Sequence, residues 1–503
     1  MNHPDTPSWG RLVSTALVGT SRRPVPDLPD LPRRPGRGAA ALLDLAALDT
    51  VRARAGYTAH TAEPVTPDAP DPRPETGPAA TRRLDAILTD RSELLPEWLS
   101  HAARSGRRVN HAQIPDLLER AARDSGLRSA VATVVGDRGT WLAGFNRTWS
   151  FVAGEPLPTD TYSDAAWNDG TPAERRRALF ALRATDPAAA RSLLTAAWPR
   201  ESRGEERRGL LQALAVNLGP DDAGLLDAAL DDRGANVRGL ALALLTRLPE
   251  SAHAHRLRGY LREHVRLDAT PRCPVEVTAT DPRRTDLLRD LALAAPGNRS
   301  QSRDERWEHS RVLVTHTPLD VWTGLLDTGP VGVLALAEQE KDLYEALADA
   351  ACVQADPDWT RAVLDHPRSG LAHLVRPGAQ HPQRQRLRAL LAPLPVTERC
   401  ARVLAAIGSG EEPPQLGEIL LAVGAPWTRE LSEEVVRRLA APAEPHGRGD
   451  PRGYRLLCEA AAGRMPPEHL DLLPGEPPRA EEEAAYLRLR KTLRFRLDMH
   501  REL

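Results

Sequence analysis

Apolar residues along this chain recur mostly at helical spacing. The segments "PEWLSHAARSG" (96–106), "IPDLLERAARDSG" (114–126) and "LRSAVATVVGDRG" (127–139) each carry a stripe at three- and four-residue intervals. Each ends in glycine, the residue best suited to close a helix in a left-handed turn. Strict alternation of apolar and polar residues is nearly absent, so the expected fold is all-α. The one short strand the pattern allows lies at 275–279.

Residues 170–265 add a longer period. "ERRRALFAL" begins at Glu174, "ERRGLLQAL" at Glu206 and "NVRGLALAL" at Asn236, while "LLTAAW" (193–198) answers "LLDAAL" (225–230). Two helices per unit, repeating every 30 to 32 residues in these segments, predict an α-solenoid of helix pairs. Boundary signals agree with this. Thr171 and Glu174 form a capping box around Pro172, Asp186-Pro187 opens the next helix, and Gly219-Pro220-Asp221 makes the equivalent turn. Val237, Leu240, Ala241, Leu244, Leu245 and Leu248 form a stripe that one hairpin cannot bury alone.

Outside the repeat the pattern divides the chain. Residues 1–80 read as a Pro-rich arm with one or two helices, the clearest at 40–57 and ending at Gly56. Residues 81–265 form an N-terminal helical region and 266–310 an irregular insertion. Residues 311–503 resume as helical repeats, with 480–502 a capping helix whose acidic start and arginine-rich continuation suit the helix dipole.

Charge and composition narrow the function. The 503 residues carry 69 acids against 67 bases, which argues against a chain devoted throughout to nucleic acid. Lys341 and Lys491 are the only lysines, and neither lies in a GxxxxGK[ST] loop, so no autonomous P-loop ATPase is expected. HExxH and GxSxG are absent. The four cysteines are scattered without a CxxC pair. No apolar run reaches the ~18 residues of a membrane span, and no cleavable leader is apparent, so the default is a soluble cytoplasmic protein.

Four groupings merit a chemical reading. His253, His255, His264 and Cys273 are the only local metal-like set, but His253 and His255 point apart on a helix, so surface histidines are expected and no metal site. Asp231 and Asp232 are adjacent at a helix start, where side chains diverge. They read as caps near Gly234, a loss of about 1 kcal/mol if removed, and not as a catalytic pair. Arg176, Arg208 and Arg238 occupy equivalent repeat positions, either as an inter-repeat ladder or as a basic stripe for phosphate or acidic peptide. Tryptophan is abundant, 10 against 4 phenylalanines. Trp141 and Trp149 flank "LAGFNRT", which with Asn146 marks a groove for a partner unless these rings only plug helix gaps.

Two resemblances follow from these residues. The units at 174–258, with "DDRGANVR" opening the third, resemble HEAT-type repeats. Almost the whole chain resembles an uncharacterised bacterial family of actinobacterial type, a domain of unknown function. The shared landmarks are "LVSTALVGTSRRP" (12–24), "LLPEWLSHAARSGRRV" (94–109), "GDRGTWLAGFNRTW" (136–149), "RATDPAAARSLL" (183–194) and "ALDDRGANVRGLALALLTRLP" (229–249). Where the family form is Asn-Pro-x-Trp, this chain has Asn-Arg-Thr-Trp, so Asn146 and Trp149 are the surviving match. The resemblance implies a role beside a MoxR-type AAA+ ATPase, a von Willebrand factor A protein and a SWIM zinc-finger protein, with no catalytic or cofactor residues to carry over. The expectation is a non-enzymatic scaffold or adaptor for protein partners, without cofactor or membrane. The alternative is a DNA- or RNA-binding protein with the architecture of an alkylpurine glycosylase, holding phosphates on a basic concave face.

Overall fold

The computed structural model describes residues 7–28, 37–55, 71–157, 160–270, 273–281, 283–293, 303–366, 381–408, 416–441 and 451–503. The described chain is mostly helical, with one two-stranded hairpin. It divides into two compact units, Met1–Asp68 and Ala69–Leu503.

In the smaller unit, helices α1 (Pro7–Val18) and α2 (Ala39–Ala55) pack together. Leu12, Leu28 and Leu42 are its buried apolar residues among those described, with Trp9 and Val25 against them. Gly56, the expected end of the second helix, lies outside the described residues.

The larger unit opens with α3 (Pro78–Asp90), α4 (Leu95–Arg104), α5 (Ile114–Arg123) and α6 (Arg128–Ala143). Their apolar stripes form one core around Leu84, Trp98, Leu117 and Val131. Glycine serves these helices unequally. Gly106 takes the expected left-handed φ of 68°. Gly126 does not, because Asp124 accepts its N–H at 2.9 Å and starts a new turn there. In the third segment the break falls at Gly136 (φ 59°, ψ −153°) and not at Gly139.

Three helix pairs follow: α7 (Pro172–Thr185) with α8 (Pro187–Ala197), α9 (Gly204–Leu211) with α10 (Ala223–Ala229), and α11 (Ala235–Leu245) with α12 (Ala252–His264). Successive first helices stack, α7 on α9 and α9 on α11, around a second core that includes Leu179, Leu211, Leu226 and Leu245. The Thr171–Glu174 capping box is formed, with Thr171 N–H donating to Glu174 at 2.7 Å and Glu174 N–H to Thr171 Oγ1 at 3.3 Å.

Strands β1 (Val265–Thr270) and β2 (Cys273–Val277) pair antiparallel, Val265 opposite Val277, and bury Val275 and Val277 in a third core. After α13 (Thr285–Asp290), helices α14 (Arg303–His316), α15 (Lys341–Gln354), α16 (His381–Leu391), α17 (Leu416–Val423) and α18 (Pro451–Arg464) stack in order. Four further helices, Pro330–Ala337, Pro357–Asp365, Val396–Gly408 and Arg429–Ala440, form a second layer against them.

The last helix, α19 (Glu483–Glu502), closes this unit on itself. Its Tyr486, Leu489 and Leu493 belong to the third core, whereas Met499 is fully buried in the first, beside Phe495 and Leu503. Arg83 of α3 stacks over Phe495 at 4.6 Å and binds Glu502 through Nε at 2.6 Å. One helix thus seals an apolar seam between the beginning and the end of the larger unit. No described helix is long and apolar enough to cross a membrane.

Candidate partner-binding site

The segment after Gly136 gathers the exposed aromatic surface. Its starting geometry is fixed from outside the helix. Arg73 donates to both Asp71 oxygens, at 3.0 and 2.7 Å, and to the Thr133 carbonyl at 2.6 Å. A Cβ on Gly136 would lie 2.0 Å from Arg73 Nη2 and 2.2 Å from Asp71 Oδ2, so only glycine fits this break. Arg73 also holds the Asp71 carboxyl below its ordinary range, against the opposing effect of burial.

Beyond the break, Trp141 and Phe145 lie four residues apart and meet edge to face at 4.9 Å. The Arg138 guanidinium covers Trp141 at 5.1 Å. Phe145 is 62% exposed. Asn146 accepts from the N–H and hydroxyl of Thr148, at 3.0 and 2.7 Å, and so caps the single turn Arg147–Trp149. Trp149 packs against the first core, and its indole N–H donates to Glu119 at 3.3 Å. Of the three residues expected at this site, Asn146 and Trp149 build the turn and Trp141 supports Phe145. Phe145 does not stand out in a sequence whose dominant aromatic is tryptophan. Its four-residue spacing from Trp141 was the available signal. Arg147 stands where the family form has proline, at the first position of the turn, and its exposed side chain makes no hydrogen bond or ion pair with a described residue.

The three repeat arginines do not share one environment. Arg176 is half-buried, 3.8 Å from Glu155; Arg208 is exposed; Arg238 donates to the carbonyls of Asp232 and Arg233 at 2.9 and 3.2 Å. The rungs between units lie one residue earlier. Arg175 binds Glu201 and Arg207 binds Asp232, each at 3.0 Å. Arg183 is fully buried, paired with Asp222 and donating to the carbonyls of Pro187, Val216 and Asn217.

Asp231 and Asp232 point to different partners. The buried Asp232 carboxylate takes Arg207 and accepts the Gly234 N–H at 2.7 Å, but Gly234 itself is the N-cap of the helix, so Asp232 braces the turn before the helix instead of capping it as expected. Asp231 caps nothing. Arg289 of α13 grips both its oxygens at 2.7 Å and holds its carboxyl below the usual range. Arg289 also meets Asp290 at 2.8 Å, and Arg256 meets Asp290 at 2.7 Å and Asp227 at 2.5 Å. Burial opposes the charge on Asp290, yet Arg256 and Arg289 keep its carboxyl low. Burial and then the charge of Asp290 push Tyr260 up to about 12. These ion pairs tie α10, α12 and α13 together.

His253 corrects the expectation of surface histidines. It is buried, with Nε2 2.8 Å from the Asp290 carbonyl. His255 is exposed, and His264 is half-buried beside the Thr278 hydroxyl at 3.4 Å. The Cys273 side chain lies outside the described residues. Elsewhere a cavity of about 370 Å³ is lined by Arg311, His316, Asp349, Cys352 and Arg386. Burial raises the Cys352 thiol to about 11 and lowers His316 to about 4. Near neutral pH the thiol is protonated and the imidazole uncharged, which is not the state of an activated thiolate–imidazolium pair.

Fold and site define a helical protein whose charged groups mostly brace its own helices, with an exposed aromatic at one helix end. The chain belongs to a family of unknown function, DUF5691, whose model matches residues 11–503. No curated protein and no solved structure matches it.

Proposed function

We propose that this protein is a non-enzymatic helical-repeat scaffold, HEAT-like in its stacked pairs, that binds a protein partner through Phe145. The observation that carries the reading is a 62%-exposed phenylalanine resting on Trp141. Rigid aromatic anchors of this kind contribute most to interfaces, since ordering them costs little entropy. The exposed Arg147 two residues on favours an apolar partner residue flanked by a carboxylate. The MoxR-type AAA+ ATPase and von Willebrand factor A protein named by the resemblance are the partners to try first. The nucleic-acid alternative rests on Arg176, Arg208 and Arg238, and two of these are occupied by Glu155 and by backbone carbonyls.

The test is direct binding of the full chain to each purified partner. Phe145→Asp should weaken capture by at least ~10-fold, as loss of an interface anchor does, and Arg208→Glu should leave it unchanged. Equal binding by wild type and Phe145→Asp would overturn the assignment of the site. Binding to neither partner, with salt-dependent DNA binding lost in Arg208→Glu, would favour the alternative.

A further inference from the structure

Glu97, His101 and His500 meet where α19 closes on α4. We propose that these three side chains form a binding site for a divalent transition-metal ion of the zinc class, which locks the C-terminal helix to the start of the unit. One ligand atom from each lies within 4.8 Å of the others. Glu97 and His101 are one helical turn apart on α4 and so share a face, and His500 is supplied by α19. The side chains of Glu97 and His500 are 23% and 19% exposed, open enough for an ion to enter and enclosed enough to hold it.

The donor set argues for the ion's class. Two imidazoles and one carboxylate match the nitrogen and oxygen ligands of zinc and its neighbours, whereas calcium and magnesium call for oxygen alone. His500 Nε2 lies 2.7 Å from Glu97 Oε1, and the two imidazole rings stack with centroids 4.0 Å apart. The His101 ring makes no hydrogen bond with a described residue, so its lone pair is uncommitted at the point where the other two converge.

The surroundings supply the outer contacts that metal ligands need. His500 Nδ1 lies 3.8 Å from Glu468 Oε1, the carboxylate that would accept its N–H once Nε2 binds the ion. Arg496 donates to Glu97 Oε2 at 2.7 Å and is itself fixed by the carbonyls of Ala462 and Met465, at 2.8 and 2.7 Å. An ion on Glu97 Oε1 displaces only the 3.0 Å contact from Arg496 Nη2 and the proton shared with His500. The carboxylate then bridges the ion and Arg496. Three protein ligands leave a fourth position for water.

The test uses the full chain, stripped by chelator and titrated with Zn²⁺ and with Co²⁺. We expect one ion per chain, a tetrahedral Co²⁺ visible spectrum, and a rise in Tm on adding Zn²⁺ that EDTA reverses. His101→Ala loses no hydrogen bond and should remain folded by circular dichroism. It and His500→Ala should each weaken binding by at least ~10-fold, as ligand loss costs no less than loss of an outer contact. His255→Ala, at an exposed histidine, should bind as wild type does. No uptake by wild type at micromolar Zn²⁺, or undiminished uptake in the His101→Ala/His500→Ala double variant, overturns the proposal.

Discussion

The helix pairs of 172–264 and the closure of α19 on α3 and α4 use the same chemistry across very different chain separations. In the pairs, Arg175, Arg183 and Arg207 reach carboxylates 25 to 39 residues away, in the neighbouring unit. At the closure, Arg83 and Arg496 reach Glu502 and Glu97 across about four hundred residues. The first kind of contact is stabilised locally, unit upon unit. The second forms only when both ends of the unit are already in place, so its loop-closure entropy must be offset by apolar burial around Met499, Phe495 and Leu503. Arginine pairs orient both regions, but burial carries the closure.

That contrast is broken most sharply at Arg183. Arg183→Ala leaves the buried Asp222 only its longer 3.5 Å pair with Arg191, frees three carbonyls that Arg183 had satisfied, and should cost about 4 kcal/mol in denaturant unfolding. Met499→Ala attacks the closure through its apolar seam and should cost about 3 kcal/mol, raising proteolytic release of α19 ahead of the helix pairs. A loss below about 1 kcal/mol would show that the closure does not depend on burial.

The adjacent acids sharpen the comparison within one turn. Asp232→Ala removes a buried partner of Arg207 and the acceptor of the Gly234 N–H, so the expected loss rises from about 1 to about 2 kcal/mol. Asp231→Ala loses an exposed pair and should cost less than about 1 kcal/mol.

The junction between the pairs and the later helices has a pH signature. His316 Nδ1 lies 2.8 Å from the Thr246 hydroxyl, and burial lowers the imidazole from 6.5 to about 4. The unfolded chain therefore takes up the proton first. Stability from this group is complete above pH 6.5 and lost as pH falls towards 4, by about 2 kcal/mol given partial opening to the cavity. His316→Gln should flatten that portion of the pH–stability curve, and an unchanged slope would remove His316 as its source.

The helices were legible because their signals are local. The Thr171 capping box, the Pro-started helices and the strand near 275 all follow from neighbours in sequence. Position around each helix was legible only to one residue. Equivalent spacing picks out Arg176, Arg208 and Arg238, but which arginine faces the next unit depends on helix rotation, and Arg175 and Arg207 do. Gly136 and Gly139 look alike in sequence, and only the Asp71–Arg73 pair decides which one breaks the helix. Glu97, His101 and His500 were illegible as a group, since nothing local links residue 97 to residue 500. The exposure of Phe145 was illegible because exposure is a tertiary property.

The central claim is that recognition occurs at Phe145 and that the repeat arginines are mainly structural. Photo-crosslinking from a benzophenone side chain placed at position 145, and separately at position 208, tests it most directly. The account predicts a defined protein adduct from 145 that is lost when Trp141→Ala removes its support, and none from 208. A nucleic-acid adduct from 208 with nothing from 145 would contradict it.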